Sequence, residues 1–257
     1  MNRRLIRSVL VRAPQLQALK SEAQRVCLNA LGLPFEPEFE ILKALQPAAG
    51  EICIDVGANR GQSIDAIRMF LPGVAIRAYE PLHDLAETLK ARFAFDESVV
   101  VVEAGLGAKA GTRTLHVPSY AGYRFDGLAS LDAQEAAGWL NSRTLLGYRA
   151  DRLRTEELTI GVETLDAANA APCFIKIDVQ GAEDEVLSGA ARTIGETRPV
   201  IIAETGLEGA PAASLASFGY EAFSFARGRL VPRTEPSRNG VFIHPEGARG
   251  LERLISR

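Results

Sequence analysis

The sequence predicts a doubly wound α/β domain with a mostly parallel sheet, and three observations carry that expectation. Short apolar runs rich in β-branched residues alternate with helical stretches between residues 51 and 102. The first run, residues 51–56, is apolar almost throughout and ends at a glycine, as a parallel strand buried on both faces does. The turn Gly57-Ala58-Asn59-Arg60-Gly61 then leads directly into a helix, the arrangement that forms the ligand crevice of open α/β sheets.

The elements follow in order. Leu16, Leu19, Ala23, Val26 and Ala30 recur at three- and four-residue spacing and predict a helix within residues 1–33. Residues 1–35 therefore form an N-terminal helical extension, and residues 36–257 the main domain. Arg3, Arg4, Arg7, Arg12, Lys20 and Arg25 face a single acid, Glu22, in that extension. Such a basic helix fits packing on the main domain or peripheral contact with a membrane surface. Gly32 and Pro34 end it, and a short helix is expected near residues 37–45. Strands at 51–56, 74–79 and 99–102 alternate with helices at 63–70 and 82–93, which argues for a parallel sheet covered on both faces. Strands at 112–117 and 158–162 flank an insertion, residues 118–157, that is rich in Tyr, Arg and Gly and carries Trp139. Segments of that length in compact domains often serve as lids. A strand at 173–179, a helix at 182–194 and a strand at 200–203 resume the alternation. Residues 220–225 and 240–244 are the closing strands, joined by a hairpin rich in Pro and Arg.

Composition narrows the function classes. Among 257 residues, 47% are hydrophobic and 24% charged, which provides a sizeable core and excludes wholesale disorder. The net charge of −3 gives no general attraction to nucleic acid. Cys27, Cys53 and Cys173 lack metal-ligand spacing and are expected to be reduced thiols of a cytoplasmic protein. No run approaches the roughly 20 apolar residues of a membrane span, and Arg7 and Arg12 interrupt any signal-peptide core.

The chemistry concentrates at the glycine turn. Gly57 permits a sharp turn and close ligand approach, and the next helix starts with free N–H groups. A dinucleotide site would follow Gly-x-Gly-x-x-Gly, but Asn59 and Gln62 stand at the second and third glycine positions. Asp55, just before the turn, would also repel a phosphate. A cofactor with a cationic amino-acid end gains from that acid instead. S-adenosylmethionine, which carries an ammonium and a sulfonium and no phosphate, fits better than NAD. Glu80, after the second strand, is placed to accept ribose hydroxyls.

These residues closely resemble the FkbM family of methyltransferases. The match comprises Asp55-Val56-Gly57-Ala58-Asn59-Arg60-Gly61, Glu80-Pro81, Lys176-Ile177-Asp178-Val179-Gln180-Gly181-Ala182-Glu183, Glu185 to Ala190, Arg198-Pro199 and Glu204. It runs from about Gly50 to Glu204 and does not cover residues 1–35. The resemblance implies the class I methyltransferase (Rossmann-like) fold, a seven-stranded sheet with an antiparallel last strand. It also implies S-adenosylmethionine as methyl donor, with a hydroxyl acceptor on a sugar, glycolipid or other small molecule. By position, Asp55, Gly57, Asn59 and Gly61 would hold the methionine part and Glu80 the ribose. The Ala104-Gly105-Leu106-Gly107 stretch would lie near the adenine, and Asp178 beside the reacting methyl. The family typically has Glu where this chain has Gln180, and an amide is neither a base nor a charge for a metal.

A hydroxyl acceptor must lose its proton. The candidate bases are Asp178, Glu204 and His116, with Asp178 first because it ends a main strand on the ligand side and Lys176 is placed to orient it. The aromatic and basic residues of the insertion (Tyr120, Tyr123, Arg124, Trp139, Arg143, Tyr148) either stack on a sugar or form a satellite core. Asp178, Glu183 and Glu204 offer oxygens for a divalent cation, but their spacing matches no dedicated loop, and no metal site is assigned. The expected partners are a small-molecule or glycan acceptor and a second copy in a homo-oligomer, with no nucleic acid. An NAD-dependent oxidoreductase and a non-catalytic cofactor-binding scaffold are the alternatives.

Overall fold

A computed structural model describes residues 14–206, 209–234 and 239–256. The first 13 residues of the predicted N-terminal helix lie outside the described residues. The helices are α1 (Pro14–Ala30), α2 (Gln62–Phe70), α3 (His83–Arg92), α4 (Ala133–Gly138), α5 (Glu183–Ser188), α6 (Ala191–Thr197) and α7 (Ala210–Ser217). The strands before the middle of the chain are β1 (Ile52–Val56), β2 (Ala75–Tyr79), β3 (Val99–Val102), β4 (Gly105–Leu106), β5 (Gly111–Tyr120) and β6 (Tyr123–Arg124). Those after it are β7 (Leu153–Glu163), β8 (Pro172–Ile177), β9 (Val200–Glu204), β10 (Glu221–Ala226), β11 (Arg229–Pro232) and β12 (Asn239–Ile243).

The main sheet has the order β11-β10-β12-β9-β8-β1-β2-β3. The run from β9 to β3 is parallel, and β12 inserts antiparallel between β9 and β10. This is the class I methyltransferase arrangement, including the antiparallel last strand. The sheet has eight strands rather than the seven expected. The extra one, β11, folds back on β10 through Arg227-Gly228, both at positive φ (52° and 76°). A two-residue hairpin with both central residues left-handed is the turn that suits strand twist. An Arg in the first of those positions is an unusual signal, so the sequence reads as an irregular connection.

Alternation along the central strands splits the interior into two cores. Cys53, Phe174, Val200 and Ile202 point to one face, where Ile64 and Ile67 of α2 and Phe39, Ile41 and Leu42 of a 3-10 helix (Pro37–Lys43) cover them. Ile54, Ile175, Ile177 and Ile201 point to the other, under Val186, Leu187, Ile194 and Leu215 from α5 to α7. The cysteines stay free, with Cys53 and Cys173 buried and their sulfurs 4.0 Å apart.

A second sheet, β4-β7-β5-β6, stands beside the first. β5 and β7 pair from Gly111↔Val162 to Tyr120↔Leu153, so both strands run into the predicted insertion and leave residues 121–152 between them. Their inner ends follow the two-residue pattern, with Leu115, Val117, Ile160 and Val162 buried. Their outer ends carry exposed Thr155, Glu156 and Glu157, so no apolar signal marks them. Leu82 and Leu85 join the buried face and fix this sheet to the main domain.

The α5–α6 junction is packed against the loop after β4. A Cβ added at Gly189 would overlap the carbonyl oxygen of Gly107, which is backbone and has little room to give. Gly189→Ala is therefore expected to destabilise the fold by about 1–3 kcal/mol, the range for overpacking a tight interior. A chemical denaturation curve with a lowered midpoint and unchanged slope is the expected result; an unshifted midpoint refutes it.

Candidate active site

The two-residue period that places Cys53, Phe174 and Val200 in one core continues to the strand ends with different chemistry. Asp55, Lys176, Asp178 and Glu204 share the parity of those residues, so the face changes from apolar to charged at the carboxyl edge. Asp55 faces Lys176 across the β1–β8 register. Asp55 is fully buried, and neither carboxylate oxygen has a hydrogen-bond partner. Burial pushes its pKa up to about 6, against the positive charge of Lys176. Lys176 is 4% exposed and donates to Asp178 Oδ2 at 2.9 Å. Burial disfavours the ammonium, but Asp178, Asp55 and Glu36 outweigh that and hold its pKa above the usual value.

The turn after β1 supplies the second part. Gly57 sits at φ 81°, and a Cβ there would overlap the carbonyl oxygen of Asp178, so only glycine lets the two strand ends approach. Asn59, also left-handed at φ 47°, donates its backbone N–H to Glu80 Oε2 at 2.7 Å. Leu82 N–H donates to Glu80 Oε1 at 2.9 Å. Glu80 is buried, and burial pushes its pKa up to about 7 despite those two donors. Each oxygen keeps a lone pair toward the cavity.

The third part is the loop from Asp178 to Glu183. Gln180 takes a left-handed backbone (φ 51°), with Ser130 Oγ 3.0 Å from its carbonyl oxygen. Its side-chain amide donates to Asp178 Oδ1 at 2.7 Å and to Glu204 Oε2 at 3.3 Å. Glu183 turns back to accept from the N–H groups of Val179 and Gly181. Burial raises its pKa, and those backbone donors oppose the rise. Glu183 thus ties its own loop rather than joining Asp178 and Glu204. Among the described residues, the side chains that gather closely enough to share an ion are His83, Glu87 and Glu103, exposed on the surface.

These parts border a cavity of about 340 Å³, within the range of roughly 300–1,000 Å³ for small-molecule sites. Gly57, Asn59, Glu80, Gly105, Lys176 and Asp178 line it. Asp55 lies beneath the wall. Gly61, Ala104 and Glu204 are not on it: Gly61 starts α2 at φ 80°, Ala104 is buried, and Glu204 connects through Gln180. Of the stretch 104–107, Gly105 and Leu106 are on the wall. His116 directs its ring to Glu157, 3.8 Å away and outside the cavity.

The structure also adds residues that the sequence did not single out. Phe35 and Glu36, at the junction of the predicted extension and main domain, form part of the wall. Leu82, Leu115, Leu131 and Ile160 make an aliphatic side under the second sheet. Asp126 closes that side, paired with Arg60 at 2.5 Å and Arg124 at 3.1 Å. The insertion aromatics are not on the wall. Tyr120 stacks on Tyr148 (5.4 Å, 18°), and Tyr123 meets Phe125 edge-on, around Leu140 and Leu145. They form a satellite core, and Trp139 stays exposed. The alternation that buries Leu115 and Ile160 is visible in the sequence; their convergence on the cavity beside Glu80 is not.

The Methyltransferase FkbM domain model matches residues 55–222. Among solved structures, a methyltransferase FkbM from Methylobacillus flagellatus KT is 18% identical with a TM-score of 0.48, covering 78% of this chain and 45% of that one. A precorrin-6y C5,15-methyltransferase from Geobacter metallireducens GS-15 is 15% identical with a TM-score of 0.40, covering 80% and 84%. A SAM-dependent O-methyltransferase from Thermotoga maritima is 11% identical with a TM-score of 0.37, covering 80% and 62%. This chain thus spans less than half of the FkbM structure it matches. No curated protein matches. With a family model spanning well over half its length, from the acid before the glycine turn to β10, the chain belongs to the FkbM methyltransferase domain family.

Proposed function

We propose that the protein uses S-adenosylmethionine to methylate a hydroxyl group on a sugar, glycolipid or other small acceptor. The observation that carries the cofactor is the charge around the cavity. Asp55, Glu80 and Asp178 surround it with Lys176 as their buried cation, a set that favours a cationic ligand. The orphaned carboxylate of Asp55 fits an ammonium, and the free lone pairs of Glu80 fit a ribose diol. Leu82, Leu106 and Leu131 give a flat base an apolar slot. The same features disfavour an NAD-dependent oxidoreductase. The Asn59 N–H that would meet a pyrophosphate is already donated to Glu80.

S-adenosylmethionine, when bound, supplies a methyl group already activated on a sulfonium. The chain then has to align the acceptor and remove its proton. Alignment contributes about 7–11 kcal/mol in well-oriented reactions. Asp178 lies on the wall, paired with Lys176, and its carboxylate accepts the hydroxyl proton. The hydroxyl acceptor rests on this base. That intact pair also argues against a non-catalytic scaffold. Glu204 stands behind it, reached through Gln180.

Two buried thiols 4.0 Å apart and unbridged fit a reducing, cytoplasmic setting. No helix among the described residues is long and apolar enough to cross a membrane. Leu31, Leu33 and Phe35 are exposed where the N-terminal segment reaches the cavity, and residues 1–20 carry five cations and no acid: Arg3, Arg4, Arg7, Arg12 and Lys20. That combination supports peripheral docking on an anionic lipid surface.

Equilibrium titration tests the cofactor. Binding of S-adenosylhomocysteine and not NADH is expected; binding of NADH alone refutes the proposal. The pH dependence has a defined sign. Glu80 is protonated below about 7 in the free protein, with burial first and the charges of Asp55 and Asp126 after it as causes. Its raised pKa means the free fold is stabilised at low pH and loses that stability as pH rises through about 7. Ribose donors favour the ionised form, so S-adenosylhomocysteine should bind about tenfold tighter at pH 8 than at pH 6. Glu80→Gln should weaken binding and flatten the profile; a parallel profile would remove Glu80 from the ribose site.

Asp178→Asn should lower methyl transfer by about 10²–10⁴-fold, the usual worth of a general base. The measurement is turnover with any hydroxyl acceptor of the wild-type protein, at S-adenosylmethionine concentrations that saturate both proteins. Full activity would assign the proton to another group. For the membrane contact, the protein should sediment with phosphatidylglycerol vesicles and not with phosphatidylcholine vesicles. Leu31→Ser with Leu33→Ser should abolish that, and failure of the wild type to sediment with either would end the idea.

A further inference from the structure

One carboxylate on the cavity wall comes from outside the strands. Glu36 and its neighbour Phe35 line the cavity, and both precede residues 55–222, the part of the chain that the family model matches. Asp55 is fully buried beneath the wall. Glu36 adds a second carboxylate to that end of the cavity, on the wall itself.

Packing fixes where Glu36 stands. It precedes the 3-10 helix Pro37–Lys43 with an extended backbone (φ −119°, ψ 128°), and its side chain does not cap that helix. Pro37 presets the first turn, and Phe39, Ile41 and Leu42 anchor the helix in the core. The Phe39 ring meets the Phe174 ring edge-on, with centroids 6.0 Å apart. Phe174 and Lys176 point to one face of β8, because alternate residues of a strand share a face. The helix therefore starts over β8, and Glu36 lies where both Lys176 and Asp55 feel its negative charge. The segment before it is tied to the glycine turn. Arg25 of α1 lies 3.5 Å from Asp65 of α2, Asp65 also pairs with Arg92, and Arg92 donates to the carbonyl oxygen of Arg60 at 2.9 Å. Phe35 carries the wall outward and borders a smaller cavity of about 100 Å³ between α1 and α2.

We propose that Glu36 holds the ammonium of the cofactor's amino-acid end, so that the segment before the matched domain completes the cofactor site. The inference rests on the S-adenosylmethionine reading of the cavity. The sheet order β8-β1-β2 supports it, because Glu80 follows β2 while Glu36 stands over β8, on the other side of β1. A nucleoside with its sugar on Glu80 then extends its amino-acid end across the glycine turn toward Glu36. An ammonium there makes a charge-assisted hydrogen bond with Glu36 and is attracted by Asp55 through the wall.

Equilibrium binding of two ligands tests this without an acceptor. One is S-adenosylhomocysteine, and the other is its deamino analogue, with hydrogen in place of the amino group. Glu36→Gln keeps the shape of the side chain and removes its charge. It should weaken S-adenosylhomocysteine binding at least about tenfold and leave the affinity for the analogue unchanged. In the wild type, hydrogen exchange at the backbone amides of Phe35, Glu36 and Glu38 should slow at least about threefold more with saturating S-adenosylhomocysteine than with the saturating analogue. Equal weakening of both ligands by a folded Glu36→Gln protein, or weakening of neither, would overturn the contact. So would exchange that slows equally with both. Binding of neither ligand by the wild type would instead overturn the cofactor reading, and the contact with it.

Discussion

The site depends on one buried ammonium. Lys176 is on the central strand of the sheet, and its charge is set among Asp55, Asp178 and Glu36 from three different segments. Removing only one partner of such a set typically costs about 3–5 kcal/mol, because the remaining charge is left buried and uncompensated. That constraint explains why the strands must meet in this register. A slip of one residue would turn Lys176 into the apolar core under α5 and present Ile175 or Ile177 to the carboxylates. It also explains why Gly57 is required, since the ends of β1 and β8 come into backbone contact to bring Asp55 beside Lys176.

The second sheet is the other half of the site. It adds little to the main core, yet its aliphatic face covers Glu80, and its turn at Asp126 is joined to the glycine turn through Arg60. Asp126 is mostly buried, and burial raises its pKa against the two guanidiniums of Arg60 and Arg124. Arg124 reaches onward to Asp84 at the start of α3. The cover is therefore attached by a chain of ion pairs to the two segments, residues 57–61 and 80–84, that border the cavity. Ion pairs at a rim are worth little singly. Here they set the position of the aliphatic wall.

What the sequence made legible was local. Asp55, Gly57 and Asn59 occupy one strand and the turn after it, and Glu80 the end of the next strand, so period and turn chemistry are enough to find them. The antiparallel β12 and the acids of β8 and β9 were likewise legible through the family motifs. Phe35, Glu36 and Leu131 were not, because nothing in their immediate neighbours marks them. They matter through packing between segments far apart in the chain. The aromatic residues of the insertion gave a true signal of burial but not of its purpose, since a ring stacked on a ring and a ring awaiting a sugar share one composition. The hairpin at Arg227-Gly228 shows the same limit: its geometry is regular, but its first residue is not one that favours the turn.

Gln180 shows how a departure from a family pattern acquires meaning from coordinates. In the sequence it is a lost carboxylate, which weakens any role for that position. In the fold its side-chain amide donates to Asp178 and Glu204, which a carboxylate there could not do. A cationic donor entering the cavity would meet Asp55 and Glu80, whose pKa values are raised by burial. The free protein thus holds unfavourable carboxylates where the proposed cofactor carries its ammonium and its sugar, and binding and ionisation of the site proceed together.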